Sequence, residues 1–213
     1  MASTSQKELK DEALRIELID AALSMIAEKG WVRTTMFDVA RTTGTSISKT
    51  MRLVPTKLAV MDALETRIDR AMLEALDREL DQEGPRARLF EVLMARFEAM
   101  QAQRPVVLAM LKGLLLDPIA AAALARRHEK SLQTILEAAG LESPDLDNLA
   151  RRRALDLLFA DALLVWMGDD SADLSKTMAA LDRRLTQAEG AIFSAGAIVA
   201  SVIERFSGTK NEA

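Results

Sequence analysis

Between residues 30 and 57 the chain places Arg33, Arg41, Lys49, Arg52 and Lys57 against a single acid, Asp38. Hydroxyls are interleaved with these cations at Thr34, Thr35, Thr45, Ser46, Ser48, Thr50 and Thr56. Guanidinium, ammonium and hydroxyl groups in this mixture bind phosphate oxygens and the polar edges of bases. The whole chain carries a net charge of −4, yet residues 1–57 hold nine Lys/Arg against seven Asp/Glu, and the remainder nineteen against twenty-five. A basic stretch joined to an acidic body is the electrostatic footprint of a phosphate-facing module.

Other chemistry is thinly provided. The chain has no Cys, so thiol catalysis, disulfides, iron–sulfur clusters and Cys-based zinc sites are excluded. His128 is the sole His and stands in the basic, helical stretch ALARRHEK, where it reads as a solvated residue. Neither G-x-G-x-x-G nor G-x-x-x-x-G-K-[ST] occurs, which removes the two common nucleotide cradles. Asp169, Asp170 and Asp173 could hold a hard cation, but such loops recruit further oxygens and a distal Glu. Helix capping accounts for them with less. Arg151, Arg152 and Arg153 read as a solvated helix start. The expectation is a non-enzyme with no catalytic residue, no metal and no cofactor.

The elements that position the basic stretch follow from composition and periodicity. In 213 residues there are only nine Gly and five Pro, with 49 % hydrophobic and 28 % charged residues, so an all-α fold with a substantial core is expected. Ile16, Ile19, Leu23 and Ile26 recur at helical spacing, with Ala22 in the same stripe, and Gly30 ends the first helix, about 10–29. Thr34 or Thr35 caps a second helix that runs to about 43, with Asp38 in capping-box position. Gly44 turns the chain, Ser46 caps a third helix, Ile47 to Leu53, and Pro55 stops it. Thr56 caps a fourth, about 57–80. Further helices are expected at 86–103, 105–116, 118–139, 145–167 and 172–188, followed by an apolar one to about 206. Pro105, Pro118 and Pro144 fall in first turns, where a missing N–H costs nothing.

Two short helices joined by a Gly turn make a helix-turn-helix at 35–54, whose second helix can enter a DNA major groove. The polar N-terminus MASTSQKELKDEA offers no signal peptide, which predicts a cytoplasmic protein. The run AIFSAGAIVASVI at 191–203 is too short to cross a bilayer. A nearly apolar helix over 190–206 could make peripheral membrane contact, although it lacks the cationic face of a surface-lying helix and fits core or dimer packing better.

The segment LIDAALSMIAEKGWVRTTMFDVARTTGTSISKTMRLVPTKLAVMDAL resembles the N-terminal domain of TetR-type transcriptional regulators. The order of EKG, the TT cap, DVA, the turn Gly44 and Pro-Thr-Lys carries the resemblance. It implies a DNA-binding set of Thr35, Thr45, Ser46, Ile47, Ser48, Lys49, Arg52 and Lys57, with Thr35 and Lys57 on the phosphate backbone. Thr45, Thr50, Met51 and Val54 depart from the family, which usually has apolar or aromatic residues there, so a lighter core is expected beneath the third helix.

A second stretch, VWMGDDSADLSKTMAALDRRL, resembles the closing region of a lipid-binding accessory family of ubiquinone biosynthesis that shares the TetR fold. Together the resemblances imply a helix-turn-helix domain at 1–57 and a larger helical ligand-binding and dimerisation domain at 58–213. A hydrophobic small-molecule ligand is expected among Phe90, Met94, Phe97, Met110, Leu114, Phe159 and Trp166. The function expected is a homodimeric regulator of double-stranded DNA, in keeping with the family's usual repression. The alternative is a lipid-binding accessory protein that does not bind DNA.

Overall fold

A computed structural model describes residues 2–76, 80–142 and 147–193. The described residues form nine α-helices and one 3₁₀ turn, with no strand among them. The helices are α1 (Ala2–Lys29), α2 (Met36–Thr42), α3 (Ile47–Leu53), α4 (Lys57–Ala75), α5 (Pro85–Ala102), α6 (Arg104–Leu114), α7 (Pro118–Ala138), α8 (Asp147–Met167) and α9 (Ser175–Phe193). None is long and apolar enough to cross a membrane. Pro144 and the segment 194–206 lie outside the described residues.

The chain divides into two compact units, Met1–Arg70 with Ala99–His128, and Ala71–Glu98 with Glu129–Ala213. The first contains the whole helix-turn-helix segment. Here α1 packs against α2, α3 and α6, burying Leu18, Ile19, Ala22, Leu23, Met25 and Ile26. Ile16, expected on this stripe, is instead 46 % exposed, because the buried face begins at Leu18. The helix also starts at Ala2 rather than near residue 10. Its first turns lack an apolar stripe, but Gln, Lys, Glu and Leu are good helix formers without one.

A single aromatic ties this unit together. Trp31, buried just past α1, donates its indole N–H to the Asp117 carboxylate at 2.9 Å. Asp117 in turn accepts from the Ala120 N–H in the first turn of α7 at 3.0 Å. Only glycine fits opposite the ring: a Cβ on Gly113 of α6 would lie 2.4 Å from the Trp31 Cβ.

In the second unit α8 packs against α9. The rings of Phe97 and Phe159 stack with centroids 5.1 Å apart, and the buried Arg96 guanidinium lies 5.7 Å from the Phe159 centroid. Arg151 is a structural clasp rather than a solvated residue. It donates to the carbonyls of Ile192 at 2.7 Å and Leu141 at 2.8 Å. Arg152 bonds the Gln133 side chain at 2.9 Å, and of the three only Arg153 is exposed.

Helix α9 begins at Ser175, three residues later than its pattern suggests. The cause is Asp169, fully buried, which accepts from the backbone N–H and hydroxyl of Thr177, both at 2.8 Å, and from the backbone N–H and hydroxyl of Ser171. Asp173 accepts from the Ser175 N–H at 3.2 Å. Burial alone would raise the Asp169 pKa, but the Ser171 and Thr177 bonds outweigh it and hold the carboxyl well below the usual carboxylate range. Leu174, at φ 54°, occupies the left-handed region while its side chain is buried. That geometry costs a non-glycine residue roughly 1–2 kcal/mol, which the corner's packing and bonds must offset.

Candidate nucleic-acid interface

Local chemistry sets the two short helices. Thr35 is the N-cap of α2, accepting from the Asp38 N–H at 3.1 Å while its hydroxyl donates to the Asp38 carboxylate at 2.8 Å. That hydroxyl bond is the main cause that lowers the Asp38 pKa; burial opposes it, and Lys29 and Arg41 add lesser lowering contributions. Gly44, at φ 63°, supplies the left-handed residue that the turn requires. Ser46 caps α3 by accepting from the Lys49 N–H at 3.3 Å.

Beneath α3 the buried residue is Thr50, whose Oγ1 has no hydrogen-bond partner. Of the two unusual residues at 50 and 51, only Thr50 thins the core. Met51 is 51 % exposed and faces outward.

The expected DNA-contacting residues separate into four groups. Ser46, Ile47 and Ser48 are exposed at the start of α3, with Thr45 half-buried beside them. Lys49 and Arg52 are both drawn toward α1, where the Asp11 carboxylate lies 3.5 Å from the Lys49 ammonium and 3.4 Å from the Arg52 guanidinium. Both cations keep substantial side-chain exposure. Lys57 points elsewhere: its ammonium donates to the Trp31 carbonyl at 2.8 Å and lies 4.6 Å from the Trp31 ring centroid. Burial there lowers its pKa, with Asp117 opposing the shift. Thr35 is exposed, though its hydroxyl is engaged by Asp38.

Sequence reasoning passed over Asp11 and counted Met51 toward the core beneath α3, whereas it is 51 % exposed on this surface. Met51 could have been found from its four-residue spacing to Ile47, which puts the two on one helix face. Asp11 carried no local signal, being 41 residues from Arg52.

The residues expected to line a ligand cavity are distributed over both units. In the second, Phe97, Phe159, Met94 and Trp166 are buried and Phe90 half-buried. The Phe97–Phe159 stack is part of the packed interior, whereas Met94 borders an open groove of about 500 Å³ with Leu76, Leu80, Glu91 and Glu98. Met110, buried, and Leu114, half-buried, belong to the first unit. No group of three His, Cys, Asp or Glu that could hold a metal occurs among the described residues.

Helix order and the short α2–α3 pair define a TetR-fold protein. The chain superposes on a TetR transcriptional regulator from Nitrosomonas europaea ATCC 19718 with TM-score 0.68 and 23 % identity, over 83 % of this chain and 98 % of that one. A TetR transcriptional regulator from Rhodococcus sp. RHA1 matches with TM-score 0.59 and 23 % identity, over 84 % and 97 % of the two chains. Within this fold the C-terminal part is COQ9-like: residues 120–191 match the COQ9 family model. No curated protein matches the chain.

Proposed function

We propose that the protein is a cytoplasmic, homodimeric DNA-binding transcriptional regulator, a repressor whose DNA affinity is modulated by a hydrophobic small ligand. The observation that carries this reading is the exposure of α3, with Ile47, Ser48 and Met51 outward and two cations at its edge. In the helix-turn-helix mode, such a helix lies in the major groove while its neighbour braces on the backbone. Dimerisation through α8 and α9 would present two such helices about one DNA turn apart, roughly 34–36 Å. Leu157 and Leu164, seven residues apart on α8 and 74 % and 70 % exposed, supply an apolar face for that pairing. A ligand that binds better to a wider spacing of the two helices lowers DNA affinity by its preference between the two states and by no more.

Selection of duplexes from a randomised library, followed by gel retardation with wild type and a Lys49→Ala, Arg52→Ala double variant, tests this reading. Wild type should retard the selected duplex with a steep loss of affinity as salt rises, and the variant should lose most of it. Equal retardation by both proteins removes the recognition-helix assignment.

The second reading, a lipid-binding accessory protein, is favoured by the match of residues 120–191 to COQ9. Yet several residues behind that likeness have structural tasks here. Asp169, Ser171 and Thr177 build the corner before α9, Asp182 accepts from Arg86 at 2.6 Å, and Arg184 grips Asp161 at 2.6 and 2.8 Å. The likeness therefore speaks first for a shared fold. A co-purifying isoprenoid lipid together with no DNA retardation at low salt would favour this second reading.

A further inference from the structure

The exposed side of α3 combines apolar and cationic side chains. Opposite the buried Thr50 stand Ser48 and Arg52, while Ile47, 38 % exposed, and Met51, 51 % exposed, occupy one flank of the exposed face. The four-residue spacing places the two apolar side chains one above the other on a single face. Lys49 and Arg52, which could otherwise fork onto guanine O6 and N7, are gathered at the α1 edge by Asp11. The helix thus carries an exposed apolar pair on one flank and two cations, both at the Asp11 carboxylate, on the other.

On the major-groove edge of B-form DNA the thymine C5 methyl is the apolar group, and aliphatic side chains recognise it by contact. We propose that α3 reads thymine methyl groups through Ile47 and Met51, with Ser48 bonding a neighbouring base or phosphate, while Lys49 and Arg52 hold the backbone. The partner is an A·T-rich duplex whose thymines face the same groove. This inference rests on the DNA-binding reading above and specifies the base chemistry at that same surface.

The test begins with a duplex selected by wild-type protein from a randomised library. Its half-sites should carry thymines at the positions under α3. Replacing those thymines by deoxyuridine removes only the methyl groups and should weaken wild-type binding at least threefold. The Ile47→Ala, Met51→Ala double variant should lose the discrimination and bind the thymine and deoxyuridine duplexes equally. Both side chains are exposed, and the change on the DNA side requires no protein variant at all.

An enriched duplex with guanine under α3 would overturn the proposal and leave the DNA-binding reading standing. So would equal affinity of wild type for the thymine and deoxyuridine forms. Enrichment of nothing, with no retention at low salt, would overturn both.

Discussion

The Asp11 carboxylate of α1 lies 3.4 Å from the Arg52 guanidinium of α3 and is shared with Lys49. One acid thus brackets two cations proposed to meet phosphate, and bound DNA would have to compete with it or lie beside its negative charge. Asp11→Asn should therefore tighten binding of a mixed-sequence duplex about two- to tenfold, the scale of one or two exposed ion pairs. The dependence on salt should steepen as the cations are freed. Fluorescence anisotropy across a salt series checks both, and weaker binding by the variant would contradict the assignment. Folding stability should change by less than about 1 kcal/mol.

Thr50 buries a hydroxyl with no partner beneath α3. Valine has nearly the same shape and no polar atom to desolvate, so Thr50→Val should stabilise the protein by about 1 kcal/mol. Urea unfolding followed by circular dichroism measures this. An unchanged or lower midpoint would mean that the hydroxyl is satisfied in solution.

Gly113 and Trp31 are in mutual contact that leaves no room for a methyl group. Gly113→Ala should destabilise by about 1–3 kcal/mol, as overpacked cores do, despite alanine's better helix propensity. Trp31→Phe should cost about 1 kcal/mol or more by removing the donor to Asp117. A thermal midpoint at or above wild type in Gly113→Ala would refute the close packing.

Asp169 sets an acid limit on the second unit. Its folded pKa is depressed below the unfolded value of about 3.9, so its contribution is fully present above that value. That contribution is lost as pH falls through the folded pKa. Asp169→Asn should cost about 1–3 kcal/mol at neutral pH and should flatten the acid limb of the stability profile. A variant that retains the wild-type acid limb would assign that limb to other carboxylates.

The exposed α8 face predicts its own test. Charge placed on a self-pairing apolar surface opposes association, so Leu157→Glu with Leu164→Glu should convert a dimer into a monomer, read by light scattering after size exclusion. Retardation of a two-half-site duplex should fall with it. A wild-type protein that is already monomeric at micromolar concentration would overturn the proposed pairing.

The caps and turns around α2, α3 and the start of α4 were written locally, whereas the starts of α1 and α9 were not. Thr35, Ser46 and Thr56 cap where the sequence places caps, Gly44 turns where it must, and Pro85, Pro105 and Pro118 fall within first turns. Such features depend on groups within about four residues of one another, which a linear pattern exposes. The pairings that define the candidate interface were decided only by the tertiary structure. Asp11 with Arg52 spans 41 residues, Lys57 with Trp31 spans 26, and Trp31 with Asp117 spans 86. A charge run states how many cations a segment carries but not which of them another helix will engage. Packing α1 against α3 and α6 turned Lys57 inward to Trp31, gathered Lys49 and Arg52 at Asp11, and left Ile47 and Met51 outward.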